Sequence, residues 1–140
     1  MSQNLSDFLA FRKNVSHRLA VEFAFIDMCA GDHLAALVLS QLLDALALSG
    51  ESTNELVWRD GRWMLSRSWD GWFRRTRVRR KQGHRVLRLL RRLGYVQTAT
   101  CMRGGTRVLH IALIEARFLE AWAGVLRGIP PVFFEGDDGE

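Results

Sequence analysis

The sequence predicts an α+β domain, a helical core carrying small β-hairpins and followed by a C-terminal helix. Three observations predict it. Residues Thr76 to Tyr95, TRVRRKQGHRVLRLLRRLGY, keep an apolar stripe at helical spacing among eight Arg or Lys side chains. Segments flanking Asp60-Gly61 and Gly104-Gly105 alternate apolar and polar residues on both sides of a turn. Residues 34 to 48 and 114 to 126 repeat apolar side chains at intervals of three and four.

At 140 residues the chain has the length of one domain and can bury a proper core. The net charge of +5 is unevenly spread. Arg59 to Arg107 holds fifteen Arg or Lys and two acids, whereas the remainder holds five basic and thirteen acidic residues. Such segregation points to an anionic partner for the middle of the chain. Cys29 and Cys101 lie far apart, without a CxxC pattern, and read as small buried hydrophobes in a reducing compartment. The polar, acid-bearing start MSQNLSDFLAFRKN is unlike a signal peptide, and the apolar run near Leu34 to Leu48 is broken by Ser40, Gln41 and Asp44. The expectation is a cytoplasmic protein with no membrane contact.

Residues 1–31 are read as an N-terminal extension. Leu5, Phe8 and Phe11 have the spacing of a short docking helix. Val15 to Met28 fits both periods; Leu19, Val21, Phe23 and Phe25 alternate, and a short strand leading into a helical turn is expected. Asp32 then caps a helix running to Ala47, where Leu34, Leu37, Val38, Leu42 and Leu46 form the stripe. Leu56 to Leu65 reads as a hairpin about Asp60-Gly61 that pairs Trp58 with Trp63. Ser68 caps a short helix to Arg75 with Trp72 and Phe73 facing inward, and Thr76 to Val78 is a turn. A basic helix follows from Arg79 to Leu93, with Val86, Leu90 and Leu93 on one side and Lys81, His84, Arg85, Arg88 and Arg92 on the other. Gly94 stops it. Tyr95 to Leu113 forms a second hairpin about Gly104-Gly105, placing Arg103 and Arg107 at its tip. Residues 114–127 form an amphipathic helix presenting Ile114, Phe118, Trp122 and Val125 or Leu126, and 128–140 an acidic, mobile tail.

Strand, short helix, turn, basic helix and basic-tipped hairpin make the layout of a winged helix-turn-helix over residues 32–113. The segment VRRKQGHRVLRLLRRLGYV resembles the recognition-helix region of bacterial and phage winged-helix proteins. Val78 stands where their turn leucine sits, and Leu87, Leu90, Leu93 and Gly94 match the helix end. DHLAALVLSQLLDAL and DGRWMLSRSWDGW are similar to the first core helix and the glycine-Trp strand of a phage and plasmid subgroup. The resemblance implies a replication organiser, replication initiator or transcriptional regulator. Three positions depart from the pattern: Arg79 replaces the capping Ser or Thr, Gly83 an apolar residue, and Phe73 a small one.

The expected function is therefore sequence-specific binding of double-stranded DNA. Arg79, Arg80, Lys81, His84, Arg85 and Arg88 are expected in or beside the major groove, Arg74 and Arg75 on the backbone, and Arg103 and Arg107 on the wing. A homodimer through the Leu34–Leu48 and Ile114–Leu126 helices suits a palindromic site. The alternative is a winged helix that docks on a large machine such as RNA polymerase or a replisome component. The five Trp residues read as core more than as base-stacking platforms. His17, His33 and His110 have no partner at ligand spacing, so no metal or cofactor is expected. No paired carboxylates, nucleophile triad or phosphate-cradling loop suggests an enzyme.

Overall fold

The computed structural model describes residues 5–7, 9–10, 19, 21–47 and 55–134. Its chain order is α1 (Phe23–Met28), α2 (His33–Ala47), β1 (Leu56–Arg59), β2 (Arg62–Arg67), α3 (Trp69–Thr76), α4 (Arg80–Arg92), β3 (Val96–Arg103), β4 (Thr106–Leu113) and α5 (Glu115–Leu126). Residues 5–7 and 9–10 are helical; Phe8 and Phe11, which the docking-helix reading invoked, lie outside the described residues. So do residues 15–18, 48–54 and the acidic 135–140. Among the described residues no helix is long and apolar enough to cross a membrane.

The strand expected to include Phe23 and Phe25 is a helix. Alternation of aromatics misled, because only one of the two is core: Phe23 is 86% exposed and Phe25 buried. Phe25 and Met28, one turn apart, face inward. Phe25 sets its edge against Phe118 and Trp122 of α5, centroids 5.7 and 5.8 Å away, which fixes α1 against α5.

Asp32 begins α2 as expected, its Oδ1 accepting from the Ala35 N–H at 2.9 Å. The broad apolar surface of α2 is core. Ala35, Ala36, Val38, Leu39 and Leu42 are buried, and Leu34, Leu37, Leu43 and Leu46 pack against the same cluster. Leu34, Leu37, Leu43 and Leu46 are only half-buried there, and Leu119 and Leu126 of α5, the other helix of the expected homodimer, are exposed. The stripe alone cannot say what the helix packs against.

The four strands form one antiparallel sheet in the order β1-β2-β4-β3. Both hairpins turn on two residues of positive φ, Asp60 (55°) with Gly61 (79°) and Gly104 (57°) with Gly105 (79°). That geometry matches the right-handed strand twist. Trp58 pairs with Trp63 as predicted, and the rings meet edge to face at 5.3 Å. They are not core, however: Trp58 is 61% and Trp63 39% exposed. Strand spacing gave the pairing correctly and the environment wrongly. Leu65 and Ile111, cross-strand partners, carry the buried face onto the helical core with Leu39, Leu42, Trp72, Val86 and Leu90.

Gly94, at φ 81°, ends α4 with the Tyr95 N–H reaching back to the Leu90 carbonyl at 3.0 Å. The Tyr95 hydroxyl then donates to the Met28 carbonyl at 2.7 Å and ties that helix end to α1. The segment after α5 does not leave the fold at Gly128. The Phe134 N–H donates to the Arg92 carbonyl at 2.6 Å, and the Phe134 ring lies against Gly94 and the Arg117 guanidinium.

Candidate nucleic-acid interface

The basic helix is positioned by its apolar side. Gly83, Val86, Leu87 and Leu90 of α4 are buried, and Leu93 follows them into the core. What remains outward is cationic. All ten side chains predicted to meet DNA are exposed: Arg74 and Arg75 on α3, Arg79 at the turn, Arg80, Lys81, His84, Arg85 and Arg88 on α4, and Arg103 and Arg107 at the β3–β4 tip.

The local geometry explains two of the three departures. Arg79 has no acceptor to cap with. The reciprocal half of the cap is present instead, Gln82 Oε1 accepting from the Arg79 N–H at 2.9 Å. Gly83 is required by a neighbour: a Cβ there would lie 2.1 Å from Trp69 Cζ3. The absence of a side chain lets the Trp69 ring sit over the start of α4, 5.0 Å from the His84 ring. Phe73, expected to face inward, is half-buried beneath cations. The guanidinium of Arg77 lies 5.4 Å from its centroid and that of Arg79 5.0 Å. Arg77 occupies the left-handed region at φ 64° and donates to the Phe73 and Arg74 carbonyls, closing the end of α3.

Not every cation in the basic segment is offered outward. Arg67 is buried, forks onto both Glu55 oxygens at 2.8 and 2.7 Å, donates to Gln41 at 2.9 Å and lies over the Trp72 ring. It is a structural cation that charge counting could not separate from the rest. Arg75, exposed on α3, also reaches Glu55 at 3.2 Å. Burial alone raises the Glu55 carboxyl, but hydrogen bonds and charge from Arg67, with Arg75 behind them, hold it below the usual range. Arg85 pairs with Asp32 at 2.5 Å. Asp32 therefore caps α2 with one oxygen and holds α4 with the other. Its carboxyl, raised by burial, is brought below the ordinary value by Arg85 and the Ala35 N–H.

Residues that sequence reasoning passed over cluster beside this face. Arg59 donates to Cys101 Sγ and Arg62 to Gln97 Oε1, so the β1–β2 tip curls over onto β3. Arg91 reaches Thr98 Oγ1 at 3.0 Å. His110, read as partnerless, is buried with Nδ1 3.5 Å from Cys101 Sγ. Burial, then the charges of Arg59 and Arg103, depress its pKa. Cys101 is accordingly a half-buried, polar-contacting thiol rather than the buried hydrophobe expected. Strand parity would have placed His110 and Cys101 on one face; the curl that adds the arginines was not legible. Compared with known protein families, with curated proteins and with solved structures, the chain matches none.

Proposed function

We propose that this protein is a winged helix-turn-helix that binds double-stranded DNA in transcription regulation or replication initiation, without catalysing a reaction. The observation that carries the reading is the division of α4, whose apolar side is buried while Lys81, His84, Arg85 and Arg88 are exposed. The arrangement around it supports the same reading. A short bracing helix and a three-residue turn precede α4, and a hairpin with arginines at its tip follows. β2 completes the sheet beside that hairpin by pairing with β4. A helix of this kind fits the major groove with its N-terminal residues at the base edges, and the hairpin meets phosphate or the minor groove.

Fluorescence anisotropy on a random duplex, repeated across a salt series, tests this. If roughly six to eight phosphates are neutralised, log K falls with log[salt] at a slope of about −5 to −7. A slope near zero sinks the reading. Selection of bound fragments from a genomic DNA pool then yields the site. On that site Arg88→Ala weakens binding by about 1–3 kcal/mol and relaxes preference at one position; an equal loss on every sequence makes it a phosphate contact.

The exposed Trp58–Trp63 pair favours a second reading, in which the domain docks on a large protein machine such as RNA polymerase or a replisome component. Exposed aromatic anchors are a common feature of protein interfaces. Retention by purified polymerase that is lost in Trp58→Ala, together with a flat salt series on DNA, selects this reading over the first.

A further inference from the structure

Between α4 and the curled sheet lies a cleft of about 850 Å³. That volume lies in the range of small-molecule sites. Its polar wall is unusual for so small a domain. Arg62 comes from β2, His84 and Arg91 from α4, Thr98 and Thr100 from β3, and His110 from β4. The one carboxylate on the wall is Asp60, at the hairpin turn. Met64 and Leu87 supply apolar surface alongside.

Arg62 is the informative residue. It is half-buried and spends one donor on Gln97, while its Nε is shut off from solvent with no hydrogen-bond partner. A guanidinium that its neighbours satisfy only in part keeps donors for a further acceptor. Arg59 and Arg103 add positive charge around His110, depressing its pKa beyond the effect of burial. Cations drawn from separate elements into one concavity repel each other unless an anion joins them.

We propose that this cleft binds a phosphate group, with the terminal nitrogens of the Arg62 guanidinium as principal donors and the imidazoles and threonine hydroxyls completing its shell. A tetrahedral oxyanion matches the guanidinium fork and accepts several donors at once. The Met64 and Leu87 surface suits the carbon portion of a phosphate ester. The phosphate has two sources, a small ester of nucleotide size or a phosphodiester of bound DNA, and both present the same chemistry. The inference does not rest on the duplex reading, because only the second source requires it.

The test follows the Arg62 Nε–Hε resonance of the full chain in proton–nitrogen spectra at constant ionic strength. The probes are inorganic phosphate, adenosine monophosphate and a 16-base-pair duplex. A saturable shift with phosphate and the nucleotide assigns a small ester; a shift with the duplex alone assigns the phosphodiester. Arg62→Gln lowers affinity for the responding probe at least ten-fold, and Arg62→Lys recovers part of it. Because the resonance is read in the unaltered protein, a variant that fails to fold leaves the test intact. If the Arg62 signal stays fixed with every probe, the proposal is overturned. Duplex binding through α4 with a silent Arg62 overturns this inference and leaves the duplex reading standing; a nucleotide response without duplex binding does the reverse.

Discussion

At the scale of single residues, Gly83 shows how a local penalty is set by a distant neighbour. Glycine inside a helix costs roughly 0.5–1 kcal/mol relative to alanine, so a substitution to alanine ought to stabilise α4. The 2.1 Å approach to Trp69 Cζ3 reverses the sign. Gly83→Ala is expected to lower stability by about 1–2 kcal/mol in urea unfolding and to alter tryptophan emission as the Trp69 ring is displaced. Pairing it with Trp69→Leu restores the loss; a neutral or stabilising single variant contradicts the contact. The two thiols diverge for a different reason. Burial, with Asp32 nearby, pushes the Cys29 thiol up to about 12, whereas Cys101 is half-buried beside Arg59 and His110. A disulfide reagent should label one thiol in the folded protein and the second only after unfolding. Loss of the first signal in Cys101→Ser identifies it; native labelling of Cys29 contradicts the packing.

At the scale of elements, α4 is held from both sides by side chains that have other tasks. Asp32 caps α2 and engages Arg85, so one carboxylate links the two helices and offsets part of a surface cation. Asp32→Asn keeps the cap, since Asn serves that position as well as Asp, but removes the charge opposite Arg85. If the duplex reading holds, this variant binds duplex DNA several-fold more tightly at low salt, and the gain fades as salt rises. Anisotropy titrations at two salt concentrations decide it; unchanged affinity means that Arg85 takes no part in binding. The same element view accounts for α2, whose apolar breadth reflects a central position in the core.

At the scale of the whole molecule, stability depends on carboxylates placed among arginines. The buried Arg67 forks onto Glu55 and covers the Trp72 ring, linking the chain before β1 to α3 and, through Gln41, to α2. Glu55→Gln leaves that guanidinium short of countercharge and should cost on the order of 3 kcal/mol, read as a lower urea midpoint with an unchanged slope. Asp32 and Glu55 both ionise below their ordinary values of 3.8 and 4.5. Their contribution is complete above the unfolded values and is lost as pH falls through the depressed folded ones. The melting temperature is therefore expected to fall in two stages, first below the ordinary histidine value of 6.5, because buried His110 resists the proton that the unfolded chain takes up, and again below about 5, where only the second stage is shallower in the Asp32→Asn, Glu55→Gln double variant than in the parent. Parallel second stages for the two proteins rule out Asp32 and Glu55 as the cause.

Much of this architecture was legible because it rests on short-range chemistry. Asp60-Gly61 and Gly104-Gly105 supply the positive φ that two-residue hairpins need, Ser68 accepts from the Gly71 N–H at 3.1 Å, and Gly94 terminates α4. The ten side chains chosen from the helical wheel and the hairpin tip are all exposed, because helical periodicity separates a buried side from a solvated one without outside information. Tertiary structure decided whatever depended on which surface meets which. It made Phe23 and the Trp58–Trp63 pair exterior, packed most of the stripe of α2 into the core, buried Arg67 beside Glu55, and gave Gly83 its reason in Trp69. It also curled Arg59 and Arg62 onto β3, forming a cationic cleft that no linear spacing announces. Periodicity records that a side chain is apolar or charged, whereas burial and pairing belong to the surface it meets, and that surface comes from elsewhere in the chain.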